Sequence, residues 1–100
     1  MSVSSTVSDD GNVVIIHVDG RFDFAMHQDF MHAYKEFPRG EKSFVVDLNK
    51  AEYLDSSALG MLLQLRDHGS QNGSVELRGS NDGVREILRI ANFDKLFKVA

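Results

Sequence analysis

The feature that most constrains this chain is a short, nearly continuous apolar run, Phe44-Val45-Val46-Asp47-Leu48. Runs of this kind are typical of a central strand that is buried on both faces of a sheet. On either side of it, β-branched stretches alternate with stretches in which apolar residues recur every three or four positions. We therefore expect an α/β fold with a parallel strand at this position.

The neighbouring patterns predict the order β-β-α-β-α-β-α-(β). Strands are expected at residues 3–8, 13–18, 44–48 and 75–78 and, briefly, at 96–99, and helices at 26–37, 57–69 and 84–91. Asp9-Asp10-Gly11-Asn12 is a turn signal that joins the first two strands into a hairpin. The hairpin is antiparallel and the crossovers are parallel, so the sheet should be mixed, with helices packed on it.

Composition sets the class of protein. The chain has 100 residues, 11 Lys and Arg against 15 Asp and Glu, a net charge of −4 and no cysteine. This length suits a single domain over residues 1–100. The charge excludes a generally basic nucleic-acid binder, and the lack of cysteine excludes disulfides and thiolate sites. No apolar run reaches the roughly 18 residues of a membrane span. We expect a cytoplasmic domain that binds neither nucleic acid nor membrane.

The sharpest local feature is Tyr53-Leu54-Asp55-Ser56-Ser57-Ala58-Leu59-Gly60, which joins the central strand to the second helix. Two interpretations stay open. The side chains of Asp55 and the serines can cap the helix by accepting hydrogen bonds from its first N–H groups. Alternatively, a serine here is a phosphoacceptor, because a phosphate at this junction faces the positive end of the helix.

The second helix carries more apolar surface than a helix at a protein surface needs. Its apolar residues span about 200°, against about 100° for an ordinary amphipathic helix. Either neighbours bury all of this arc, or part of it, predicted to be Met61 and Leu65, is exposed to a partner. Gly60 lies in the first turn and costs helix stability of about 1 kcal/mol relative to alanine. Close approach of another backbone would explain it.

Catalytic and metal-binding chemistry has little support in the sequence. A serine hydrolase needs a histidine beside Ser56, yet His68 lies about three turns further along the helix and no Gly-x-Ser-x-Gly motif exists. His27 and His32 are five residues apart, so they point away from each other on a helix. His17 likewise belongs to no ligand pattern. We expect no enzyme activity, no metal and no cofactor.

The chain resembles the STAS-domain family of bacterial anti-sigma-factor antagonists. The resemblance rests on Gly20-Arg21-Phe22-Asp23, Phe44-Val45-Val46-Asp47-Leu48-Asn49, Tyr53-Leu54-Asp55-Ser56-Ser57-Ala58-Leu59-Gly60, Val84-Arg85-Glu86-Ile87-Leu88 and Asn92-Phe93-Asp94-Lys95-Leu96-Phe97. The matching segments cover nearly the whole chain. Two positions depart from the family pattern: Ala58 stands where glycine is usual, and Arg21 where glutamate is frequent.

The resemblance implies a switch protein. In the family, a serine kinase that is also the anti-sigma factor phosphorylates the serine after the aspartate, here Ser56, with Ser57 as second choice. The unphosphorylated form binds that kinase, the phosphorylated form is released, and a PP2C-type phosphatase restores the first state. Apart from the resemblance, we expect the free domain to be a monomer. The predicted partner-binding residues are Asp23, Asp55, Ser57, Gly60, Met61 and Leu65. The alternatives are a passive STAS subunit, for example of a lipid-transport ATPase, and a biofilm regulator that acts without a sigma factor.

Overall fold

The computed structural model describes residues 2–69 and 75–100. Within them the strands are β1 (Ser2–Val7), β2 (Val13–Phe22), β3 (Ser43–Leu54), β4 (Glu76–Arg78) and β5 (Lys98–Val99). The helices are α1 (His27–Lys35), α2 (Ser56–His68) and α3 (Asp82–Ile90), with 3-10 turns at Phe24–Met26 and Phe93–Lys95. The order β-β-α-β-α-β-α-β confirms the prediction, including the short last strand.

The strands form one mixed sheet in the order β1-β2-β3-β4-β5. β1 runs antiparallel to β2, whereas β2, β3, β4 and β5 pair in parallel. In the hairpin turn, Gly11 adopts φ +77°, a conformation that glycine reaches without steric cost. The helices supply the crossovers between successive parallel strands, so the predicted α/β architecture is confirmed.

The described helices cover one face of the sheet. The core side chains from the strands are Val14, Ile16, Val18 and Phe22 of β2, Phe44, Val46 and Leu48 of β3, and Leu77 of β4. The alternate positions face the other way, because successive strand residues point to opposite faces. There Val45 is only 7% exposed, yet it lies outside the core cluster, and Asp47 beside it is half-buried. On this second face of β3, Val45 alone is buried. The prediction that the central strand is buried on both faces is therefore wrong for the other residues of β3 that point this way.

β2 runs further than its sequence predicts. The strand predicted at residues 13–18 continues through Phe22, which pairs with Leu54 of β3. The register shifts beside Gly20, which adopts φ +96°. Glycine absorbs the irregularity, so the strand bends without ending. The extension brings the end of β2 level with the end of β3.

The helix boundaries follow simple signals. α1 buries Phe30 and Tyr34 on the predicted apolar face and ends before Pro38, which cannot continue a helix. α3 begins at a cap in which the side chain of Asn81 accepts a hydrogen bond from the Val84 backbone N–H at 2.8 Å. Both boundaries follow from residue type and spacing.

Candidate functional site

Two parallel strands end side by side and place their next residues at one edge of the sheet. Phe22 of β2 pairs with Leu54 of β3, and the Asp55 backbone N–H donates to the Phe22 carbonyl at 3.3 Å. Asp23 follows the first strand and Asp55 the second. The carboxyl edge of a parallel sheet is where α/β proteins commonly carry functional groups. The predicted residues Asp23, Asp55, Ser56 and Ser57 therefore share this edge.

Asp55 is the N-cap of α2. One of its carboxylate oxygens, Oδ1, accepts the backbone N–H of Ala58 at 3.0 Å and the hydroxyl of Ser57 at 2.6 Å. Hydrogen bonds, first from Ser57 and then from the Ala58 backbone, outweigh partial desolvation and hold the pKa of Asp55 below its usual value. The capping interpretation is therefore correct for Asp55. Ser57 does not itself accept a backbone N–H group; its hydroxyl donates a hydrogen bond to the Asp55 carboxylate that forms the cap.

The two serines differ in their surroundings. Ser57 is half-buried and its hydroxyl is engaged with Asp55. Ser56 is the exposed first residue of α2, and the described residues offer its hydroxyl no hydrogen-bond partner. The Ser56 hydroxyl lies at the positive end of the α2 dipole and takes no part in the helix cap. Of the two hydroxyls, that of Ser56 is the one accessible to a second protein.

At the same carboxyl edge of the sheet, Asp23 caps the short turn that follows β2. Its Oδ1 accepts the Ala25 backbone N–H at 3.0 Å and caps the 3-10 turn at Phe24–Met26. That turn presents Phe24, whose side chain is 69% exposed and stacks on His27 with ring centroids 5.2 Å apart. Phenylalanine is enriched in the cores of protein interfaces relative to the rest of the surface. The sequence pattern missed it, since Phe24 belongs to no apolar periodicity.

Met61 and Leu65 are not exposed, so the prediction that they face a partner is wrong. Met61 is 4% exposed and Leu65 is fully buried, because this edge of the apolar arc faces the core. The excess lies at the opposite edge, where Leu59 is half-buried and Leu63 is 42% exposed. The apolar arc of α2 spans about 200°, and its sequence does not show which of its two edges is buried. The packing of α2 against its neighbours decides this.

Gly60 lies on the exposed side of α2, between Leu59 and Leu63. Apart from its two chain neighbours and the adjacent backbone of α2 itself, a Cβ built at Gly60 meets no atom of the described residues within 4 Å. Close approach of another backbone from the described residues therefore does not explain the glycine. The space above it is open to an approaching molecule.

A separate polar network lies on the open face of the sheet. His17 Nδ1 is 2.9 Å from Asp47 Oδ2, and His17 Nε2 is 3.2 Å from Thr6 Oγ1. The pKa of Asp47 is lowered because hydrogen bonds from the Asn49 backbone and His17, with the nearby charge of Arg78, outweigh its desolvation. In the parts of the chain that the structure describes, no group of three or more His, Cys, Asp or Glu residues could hold a metal ion.

Comparison with known proteins places the chain in a family. The family model described as "Mlab, STAS domain" matches residues 5–99. The chain belongs to the STAS domain family. A STAS-domain-containing protein of Pseudomonas aeruginosa strain UCBPP-PA14 is 48% identical to it over 101 residues, covering 100% of both chains.

Two solved structures share the fold of this STAS domain. An anti-sigma factor antagonist from Mycobacterium paratuberculosis matches with a TM-score of 0.76 at 20% identity, over 98% of this chain and 85% of that one. A sulfate transporter family protein from Wolinella succinogenes matches with a TM-score of 0.70 at 17% identity, over 94% and 79%. These likenesses establish the architecture. Within residues 2–69 and 75–100, no helix is long and apolar enough to cross a membrane.

Proposed function

We propose that this STAS domain is a phosphorylation-controlled anti-sigma-factor antagonist. Its unphosphorylated form binds an anti-sigma factor that is also a serine kinase. The kinase transfers a phosphoryl group to Ser56, the modified domain is released, and a PP2C-type phosphatase restores the binding form. The domain acts in the cytoplasm and catalyses no reaction itself. The observation that carries the proposal is the exposed Ser56 hydroxyl, which lies beside a helix cap that does not use it.

The exposed side of α2 supports a docking surface next to this hydroxyl. Ser56, Leu59, Gly60 and Leu63 are spaced at i, i+3, i+4 and i+7, so they form one stripe along the helix. We call these four residues the α2 stripe. The α2 stripe places the Ser56 hydroxyl beside the apolar side chains of Leu59 and Leu63. Gly60 has no side chain, so the backbone of a partner can come close at this position. In this proposal, Leu59 and Leu63 take the partner-binding role first predicted for Met61 and Leu65.

Phosphorylation switches off binding through electrostatics. It adds about −1.5 to −2 charges at a surface that the complex removes from water. Burying such a charge without a matching cation costs several kcal/mol, and about 1.4 kcal/mol already lowers affinity tenfold. Asp23 and Asp55 lie at the same edge, so the new charge also meets like charges. Release therefore requires no large change in the fold.

The experiment that tests this proposal is a pull-down from bacterial lysate with tagged unmodified chain, Ser56→Ala and phosphoserine at position 56, followed by titration of the captured kinase. Ser56→Ala should hold the anti-sigma kinase as the unmodified chain does, and the phosphorylated chain should bind at least tenfold more weakly. Ser57→Ala is the comparison variant: it removes the neighbouring hydroxyl and leaves the acceptor in place, so phosphoserine at position 56 should still weaken binding of this variant at least tenfold. Equal affinity of the phosphorylated and unphosphorylated chains would refute the switch.

A second candidate is a passive STAS interaction subunit of a transport complex. The description of the matching family model and the fold shared with a sulfate transporter family protein favour it. Such a subunit needs no phosphate turnover. Phosphate-affinity gels of the chain from cells separate the two roles: two bands whose ratio changes with growth conditions indicate the switch, and a single unshifted band indicates the passive subunit.

A further inference from the structure

Arg21 is an exposed cation whose hydrogen-bonding groups are unused at the carboxyl edge of the sheet. Its guanidinium carbon lies 5.1 Å from the centroid of the Tyr53 ring, in cation–π geometry. Its Nε is 3.9 Å from Asp23 Oδ2, too far for a hydrogen bond. The described residues accept no hydrogen bond from this guanidinium, which has five N–H donors in a planar fork.

Arg21 lies near the end of the sheet that carries the phosphoacceptor, two residues before Asp23. Arg21 and Tyr53 are register partners on β2 and β3, and Ser56 follows Tyr53 by three residues, about 10 Å along an extended chain. Asp23 is the first residue after β2, and its Oδ2 lies 3.9 Å from Arg21 Nε, so the arginine side chain is close to the end of the sheet that carries Ser56. A long arginine side chain and a serine lengthened by a phosphoryl group can meet across this gap.

A phosphoryl group at Ser56 is stabilised by a nearby positive charge. It adds about −1.5 to −2 charges at an edge that already holds the carboxylates of Asp23 and Asp55. The N-terminus of α2 contributes only a partial positive charge. An arginine fork matches phosphate oxygens in a bidentate arrangement that no other side chain offers.

We infer that Arg21 is the positioning residue for the phosphorylated state: its guanidinium leaves the Tyr53 ring and binds the phosphoryl oxygens on Ser56. The inference rests on the proposed function, which supplies the phosphoserine, and it deepens the regulation of that site. The ion pair holds the phosphoryl group against the domain's own surface. It thereby offsets repulsion from the neighbouring carboxylates.

The test uses the full chain with phosphoserine encoded at position 56 during translation. The second pKa of the phosphate is read by 31P NMR in the otherwise unmodified chain, in Arg21→Ala and in Arg39→Ala. Arg39 is the matched control, because it pairs with Asp67, eleven residues and about 16 Å along α2 from Ser56, beyond the roughly 8 Å screening length. A direct ion pair lowers this pKa, so Arg21→Ala should raise it by about 0.3–0.7, as expected for an exposed pair. Arg39→Ala should leave it unchanged.

A second readout reports contact rather than charge. In chain labelled with 15N-arginine, the Arg21 Nε–H resonance should shift on phosphorylation and the Arg39 resonance should not. An unchanged phosphate pKa in Arg21→Ala, or a raised one without a shift of the Arg21 resonance, overturns the inference. Because the phosphoserine is encoded, no kinase or anti-sigma factor enters this test. Absence of phosphorylation in cells would refute the proposed function and would leave this result as it stands.

Discussion

Replacing Asp55 with alanine separates the folding role of the Asp-Ser-Ser segment from its proposed signalling role. The substitution removes the acceptor of two hydrogen bonds, from the Ala58 backbone at 3.0 Å and the Ser57 hydroxyl at 2.6 Å. Loss of an N-cap costs about 0.5–2 kcal/mol, and the half-buried Ser57 hydroxyl regains only part of its bond from water. We expect a loss of about 1–2 kcal/mol in the free energy of unfolding, with about 4–8 °C in Tm for each kcal/mol.

The assay is urea unfolding followed by circular dichroism, for the unmodified chain, Asp55→Ala, Ser57→Ala and Ser56→Ala. Ser56 takes no part in the cap, so Ser56→Ala should change stability by no more than about 0.5 kcal/mol. Asp55 and Ser57 share a hydrogen bond, so the double substitution should cost less than the sum of the single ones. A loss in Ser56→Ala as large as in Asp55→Ala would refute the assignment of a free hydroxyl to Ser56.

Three further predictions concern α2. Gly60→Ala should stabilise the domain by about 0.5–1 kcal/mol in the same urea assay, because the added methyl meets open space and alanine favours the helix. The same variant should bind the partner more weakly in a pull-down. A loss of stability in Gly60→Ala would contradict the open space at this position. Met61→Ala should lower the free energy of unfolding by about 2–5 kcal/mol, because its side chain is buried. Leu63→Ala should leave the free energy of unfolding nearly unchanged and should reduce partner capture. The reverse pattern would contradict the assigned faces of the helix. The lowered pKa of Asp55 means that its ionised form contributes stability above the unfolded-state pKa of about 3.9, and that this contribution disappears as the pH falls through the lower folded-state pKa. The stability gap to Asp55→Asn, measured by urea unfolding at pH 7, 5 and 3, should therefore narrow toward pH 3, and a constant gap would count against a charged cap.

The order of the elements could be predicted because each element carries a local signal. The apolar spacing of α1, the Asp-Gly turn and the Asn81 cap of α3 each depend on residues close in sequence. The same is true of the Asp55 cap, which needs only its own residue type and the helix that follows. Family resemblance added the proposed role of Ser56, which no periodicity indicates.

The features that sequence reasoning missed depend on contacts between elements. Which edge of the α2 arc is buried is decided by its neighbours, so Met61 and Leu63 could not be distinguished by spacing. The uncovered face of the sheet depends on which side the crossovers take. The contact of Arg21 with Tyr53 depends on the register of β2 and β3 beyond the irregularity at Gly20.

The central claim is that the Ser56 hydroxyl carries the switch. The most direct measurement is mass spectrometry of the chain isolated from growing cells, with the phosphoryl group located by fragmentation, in the unmodified protein and in Ser56→Ala. We predict a single phosphoryl group on Ser56, with an occupancy that changes with growth conditions, and none in Ser56→Ala. A chain that is never phosphorylated, or that carries its phosphate on Ser57 or elsewhere and keeps it in Ser56→Ala, would contradict the account.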